Sequence, residues 1–91
     1  MSGKYSSLQP SVNNKMTIRI NLLFRNNGPV PLRALWLNFK GTTQQYAVVQ
    51  PGRCHAQDTY STHTWILEDD SGNVWATYRG ATRFHARSKV T

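Results

Sequence analysis

This chain predicts an all-β fold, a seven-stranded antiparallel β-sandwich, on three observations. Apolar residues recur with a period of two over short stretches, turn residues interrupt them about every 8–12 positions, and no stretch sustains a helical period of about 3.6. The chain has 91 residues, of which 38% are hydrophobic, enough for one small domain with a thin two-layer core. A domain of this size buries only about 60–65% of its extended-chain surface.

Residues 1–15 are polar, with Tyr5, Leu8 and Val12 as isolated anchors and Pro10 among them. They read as a flexible polar arm or a loosely docked strand, ahead of a β-domain spanning 16–91. From Met16 to Arg25, Ile18, Ile20, Leu22 and Phe24 alternate with polar residues, broken once by Leu23, which is the pattern of a half-buried strand. Asn26-Asn27-Gly28-Pro29 then turns the chain. Leu32 to Phe39 carries apolar residues on both faces: Leu32, Ala34 and Trp36 on one, Leu35, Leu37 and Phe39 on the other. Two apolar faces argue for a central position in its sheet, or for one face lined by a binding surface. After Lys40-Gly41, a polar strand from Thr42 to Gln50 puts Tyr46 and Val48 on one side and closes at Pro51-Gly52. A strand pair follows, Ala56–Ser61 and His63–Glu68. Glu68 to Asn73 reads as a hairpin loop, with Val74–Arg79 as the returning strand and a last strand over Thr82–Val90.

Composition narrows the function classes. The net charge of +7 calls for an acidic partner to be considered. The single cysteine, Cys54, leaves no internal disulfide framework, and the first residues hold no apolar leader, so a cytoplasmic or nuclear protein is expected, with no membrane span. Enzyme chemistry finds no support. Three of the four carboxylates, Glu68, Asp69 and Asp70, lie together in one loop, and no general acid/base pair or phosphate-cradling glycine loop occurs. Cys54 and His55 are neighbours on a strand and point to opposite faces, so they do not form a nucleophile pair. No Cys-x-x-Cys or His-x-His spacing marks a metal site, and no cofactor is expected.

Chemistry concentrates between Leu35 and Trp65, where Trp36, Tyr46, Tyr60, His63 and Trp65 are interspersed with Thr and Gln. Flat aromatic walls beside hydroxyl and imidazole groups suit a small apolar ring that carries one polar atom. The pattern Trp36-Leu37-Asn38-Phe39-x-Gly41, then Tyr46, Pro51-Gly52 and Tyr60-x-x-His63-x-Trp65, resembles the β-domain of the von Hippel–Lindau tumour-suppressor family, without a gap from Phe24 to Trp65. The resemblance implies a seven-stranded sandwich that binds an extended peptide through 4-hydroxyproline, as that family does on a hypoxia-inducible factor α subunit. By the matched positions, Trp36, Tyr46 and Trp65 would wall the ring pocket. Thr59, where the family has serine, would bond the proline hydroxyl together with His63. Tyr46 would also bond the peptide backbone, and Tyr60 would flank the groove.

The chain departs from that family at Asp58, Ala47 and His55, which stand where the family has histidine, proline and arginine. No Leu-x-x-x-Cys box on an amphipathic helix occurs, so elongin C binding is not expected of this chain. The expected partner is a proline- or hydroxyproline-containing segment of another protein. Two alternatives stay open. One is single-stranded nucleic acid on a basic face of Arg79, Arg83, Arg87 and Lys89 interleaved with Trp75, Tyr78 and Phe84. The other is a protein-interaction module of the same fold without hydroxyproline selectivity.

Overall fold

A computed structural model describes residues 4–79 and the backbone of 87–90. The chain is all-β, arranged in two sheets, with no helix among the described residues. Strands run over Arg19–Asn26 (β1), Leu32–Leu37 (β2), Thr43–Val49 (β3), Cys54–Tyr60 (β4), Thr64–Glu68 (β5), Val74–Arg79 (β6) and Arg87–Val90 (β7). One sheet has the order β4-β1-β7 and the other β3-β2-β5-β6. Strands β1 to β6 pair antiparallel throughout, whereas β7 lies parallel to β1. That departs from a wholly antiparallel sandwich; β1 and β7 are far apart in the chain, so no short hairpin dictates their direction. The first part of the expected last strand, 82–86, lies outside the described residues.

The alternation read in β1 is what builds the core. Ile20, Leu22 and Phe24 point inward with Leu32, Ala34, Val49, Trp65 and Leu67 from the facing sheet. Strand β2 lies between β3 and β5, the first of the two readings of its apolar faces. Its outer residues Leu35 and Leu37 join Ile66 in a second cluster, which Tyr5 and Leu8 cover.

Residues 4–13, expected as part of a flexible arm, are tied to this outer face. Ser11 is fully buried; its hydroxyl donates to the Leu37 carbonyl and accepts the Thr64 N–H at 2.9 Å. Val12 N–H donates to the Thr62 carbonyl, and the Thr64 hydroxyl donates to the Gln9 carbonyl. Further out, Tyr5, Lys4 and Arg33 converge on the buried Glu68 carboxylate. Burial pushes the Glu68 carboxyl up, but those three donors together hold it below the usual range. Burial and the adjacent carboxylate push the Tyr5 phenol up to about 12, so it remains a donor.

One expected pairing is corrected. Ala56–Ser61 and His63–Glu68 read as partners, yet β4 pairs with β1 and β5 with β2 and β6. The turn at 61–63 therefore carries the chain from one sheet to the other. Alternation assigns a face to each side chain but is silent on which strand lies alongside. The hairpin β5–β6 forms as expected, and β2 and β3 also pair across their turn.

Turns follow their residues. Pro51-Gly52 forms a turn closed by Arg53 N–H to the Gln50 carbonyl at 3.0 Å, with Gly52 at φ 78°, which only glycine adopts freely. In the β5–β6 loop, Asp69 accepts from the backbone of Ser71 and Asn73 and from Trp75 Nε1. The Trp75 bond, then the Asn73 backbone, pull its carboxyl down to about 2. A depressed carboxyl contributes stability that is complete above its unfolded value of about 4 and is lost as pH falls through about 2. The urea midpoint should fall over this window in the native protein and fall less steeply in Asp69→Asn. Parallel pH profiles for the two proteins would refute that role.

Candidate functional site

All six residues singled out in the sequence, Trp36, Tyr46, Thr59, Tyr60, His63 and Trp65, line one cavity of about 150 Å³, together with Asp58. That is smaller than the roughly 300–1,000 Å³ of pockets that enclose whole small-molecule ligands, and fits a single side chain.

Three mechanisms bring the walls together. Trp36 and Trp65 are direct cross-strand partners on β2 and β5, so both indoles stand on the inner face. Tyr46 arrives by a bulge: Ala47 pairs with Ala34 and Gln45 with Leu35, leaving Tyr46 opposite no residue. The extra residue breaks the expected sharing of a side by Tyr46 and Val48. It brings the Tyr46 ring edge-on to Trp36 at 6.2 Å and to Trp65 at 5.1 Å, although the residue is half-exposed. Thr59 comes from the opposite sheet. It is buried on β4, and its hydroxyl accepts the Trp65 Nε1–H at 2.9 Å. Thr59 and Trp65 thus meet across the sandwich rather than along one strand face.

His63 lies in the turn before β5, 7% exposed, stacked on Trp36 at 5.5 Å with Phe39 edge-on at 5.6 Å and Tyr60 tilted at 5.1 Å. Burial, and secondarily the Arg79 cation, hold its imidazole below its ordinary value, so it is neutral at pH 7. Its Nε2 is 2.9 Å from Asn13 Oδ1. Asp58 sits exposed at the mouth, paired with Arg19 at 3.3 Å and Asn21 at 3.0 Å, and these partners hold its carboxyl low.

Chemically, the cavity offers rigid aromatic walls, the Thr59 hydroxyl, the phenols of Tyr46 and Tyr60, one neutral imidazole and, at its mouth, the Asp58 carboxylate. Among the described residues, no cluster of His, Cys, Asp or Glu is placed to hold a metal ion. Sequence reasoning missed Phe39 and Asn13 as pocket neighbours. Phe39 stood within the Trp-Leu-Asn-Phe block, whereas Asn13 lies 50 residues from His63 and carried no signal.

A family model, the VHL beta domain, matches residues 9–76. The chain belongs to the VHL beta-domain family. The match begins within the polar N-terminal stretch, where the structure already anchors residues 9–13 to the sheet. Membership makes this VHL beta domain a protein-interaction domain that binds peptide.

Of the alternative basic face, the described side chains include only those of Trp75, Tyr78 and Arg79. On β6, Tyr78 packs toward the core, whereas Trp75 is exposed and Arg79 lies on the side away from Tyr78. Arg79 is occupied by Thr64 Oγ1 at 2.7 Å and the Pro10 carbonyl at 3.1 Å. Arg83 and Phe84, and the side chains of Arg87 and Lys89, lie outside the described residues.

Proposed function

We propose that this VHL beta domain, a seven-stranded sandwich, is a reader of extended peptide segments that carry 4-hydroxyproline, acting by binding and without cofactor or catalysis. The observation that supports this most is the Thr59 hydroxyl, which accepts from Trp65 Nε1 inside the same aromatic cavity that holds neutral His63. With a lone pair committed to Trp65, Thr59 keeps its own proton for a ligand oxygen. A ligand hydroxyl can accept from Thr59 and donate to a ring nitrogen of His63, while a saturated ring lies against Trp36, Tyr46 and Trp65. An unhydroxylated proline would leave both protein groups dry and unpaired, and an unmade buried hydrogen bond costs about 1–3 kcal/mol.

The surroundings favour an extended peptide. β3 and β4 each pair on one side only among the described residues, and both contribute residues to the cavity. A strand-like segment laid there finds backbone partners at the edges, with Tyr46 and Tyr60 flanking it. The chain's net charge of +7 favours encounter with an acidic segment.

Titration of the purified domain with two short peptides, identical except for hydroxylation of one proline, tests the reading. The hydroxyproline peptide should bind at least about tenfold more tightly, a difference of about 1.4 kcal/mol. Equal affinities would leave the family's peptide-binding fold and remove the hydroxyl chemistry.

A further inference from the structure

We propose that Asn13 is a positioning residue for the pocket, holding His63 in the tautomer that presents an unprotonated Nδ1. The proposal rests on the hydroxyproline reading only for its use; the tautomer itself is a property of the unliganded protein.

Asn13 Oδ1 can only accept, so the 2.9 Å contact requires the proton on Nε2. A neutral imidazole with Nε2–H has a bare lone pair on Nδ1. Among the described residues no carboxylate competes at the ring: Trp36, Phe39 and Tyr60 pack around it, and the nearby ion is the Arg79 cation from β6. Asp58 lines the same cavity but is engaged by Arg19 and Asn21.

Asn13 is itself held in register. Ser11 is buried between Leu37 and Thr64, and Val12 exchanges bonds with Thr62, its N–H to the Thr62 carbonyl and its carbonyl from the Thr62 hydroxyl. These anchors sit immediately before Asn13, and Thr62 immediately precedes His63. The N-terminal segment therefore contributes the outer half of a directed chain: Trp65 N–H to Thr59, Thr59 O–H to a ligand hydroxyl, that hydroxyl to His63 Nδ1, and His63 Nε2–H to Asn13. Each member has its donor direction set by the one before, which is the arrangement in which the links reinforce one another.

The test is nitrogen-15 NMR of histidine-labelled protein without ligand, in native, Asn13→Ala and Asn13→Asp forms. Native His63 should show a protonated Nε2 and a bare Nδ1. Asn13→Ala should give mixed tautomers with the remaining resonances unmoved. Asn13→Asp keeps an acceptor but adds charge, so it should retain Nε2–H and raise the pH at which the ring protonates. A native ring protonated on Nδ1, or an Asn13→Ala ring unchanged from native, would overturn the proposal. Failure of the hydroxyproline reading appears separately, as equal binding of the two peptides by the native domain. Where the native domain does discriminate, Asn13→Ala should lower the hydroxyproline preference several-fold while leaving affinity for the proline peptide unchanged. An equal loss for both peptides would mark Asn13 as merely structural and overturn the positioning role.

Discussion

Trp65→Ala should lower folding stability by about 3–5 kcal/mol and abolish peptide binding. Trp65 is 2% exposed and belongs to the core between the sheets, with Phe24 at 5.6 Å, Tyr46 at 5.1 Å and Trp36 as its cross-strand partner. Truncation would remove one wall of the cavity and open a void under the Thr59 hydroxyl, which the two sheets cannot close without moving β4 against β5. In a domain this small such a loss takes a large share of the total stability. Trp65→Phe separates the two roles: it keeps much of the apolar volume but removes the Nε1–H that Thr59 accepts. Its stability loss should be smaller than that of Trp65→Ala, and the hydroxyproline preference should weaken. Equilibrium urea unfolding with paired peptide titrations would measure both. A stability change below about 1 kcal/mol for the alanine variant would show that Trp65 is not the keystone its burial indicates.

Thr59→Val should cost about 1–3 kcal/mol of stability and erase most of the discrimination between the hydroxyproline and proline peptides. Valine matches threonine in shape, so the cavity keeps its volume and the strand its β-branched residue. What is lost is a polar atom: Trp65 Nε1, within a buried contact of 2.9 Å, is left without its acceptor. Thr59→Ser keeps the hydroxyl and should preserve both the stability contribution of that bond and the peptide preference. A Thr59→Val domain that still preferred the hydroxylated peptide tenfold would place the hydroxyl recognition elsewhere in the cavity.

Much of the fold was legible because the two-residue alternation is strong where it matters. Ile20, Leu22 and Phe24 fall inward as their alternation implied, although Ile18, read with them, lies ahead of β1 and is half-exposed. Of the two readings of β2's apolar faces, the central position is observed. The separation of β4 from β5 was not legible. Their adjacency in sequence suggested a pair, but β4 finds its hydrogen bonds along β1, far earlier in the chain, from Arg25↔Cys54 to Arg19↔Tyr60. The N-terminal segment was opaque for another reason. Its few apolar residues, Tyr5 and Leu8, are too sparse to form a pattern, and its strongest anchors are the bonds of Ser11, Val12 and Thr64, which composition does not announce. Asn26 is similar: it read as a turn residue, yet it is buried at the end of β1, where its amide donates to the Val30 and Val49 carbonyls and replaces backbone partners.

The pocket divides the same way. Its members were named by what the family resemblance implies at the matched positions, and Trp36, Tyr46, Thr59, Tyr60, His63 and Trp65 line one cavity. The routes by which they reach it were not legible. His63 was read as the first residue of a strand with Trp65, whereas it occupies the turn before β5, and Tyr46 is re-aimed by a bulge.

By itself, then, the order of residues determined an all-β chain, the alternation that turns Ile20, Leu22 and Phe24 inward, and the set of side chains with chemistry to offer. Only the tertiary structure decided that Thr59 meets Trp65 across two sheets and that Asn13 reaches His63 from 50 positions away. The reason is that side-chain alternation is a local property of an extended backbone. Which strands and loops lie against one another is settled by burial and hydrogen bonding summed over the whole molecule.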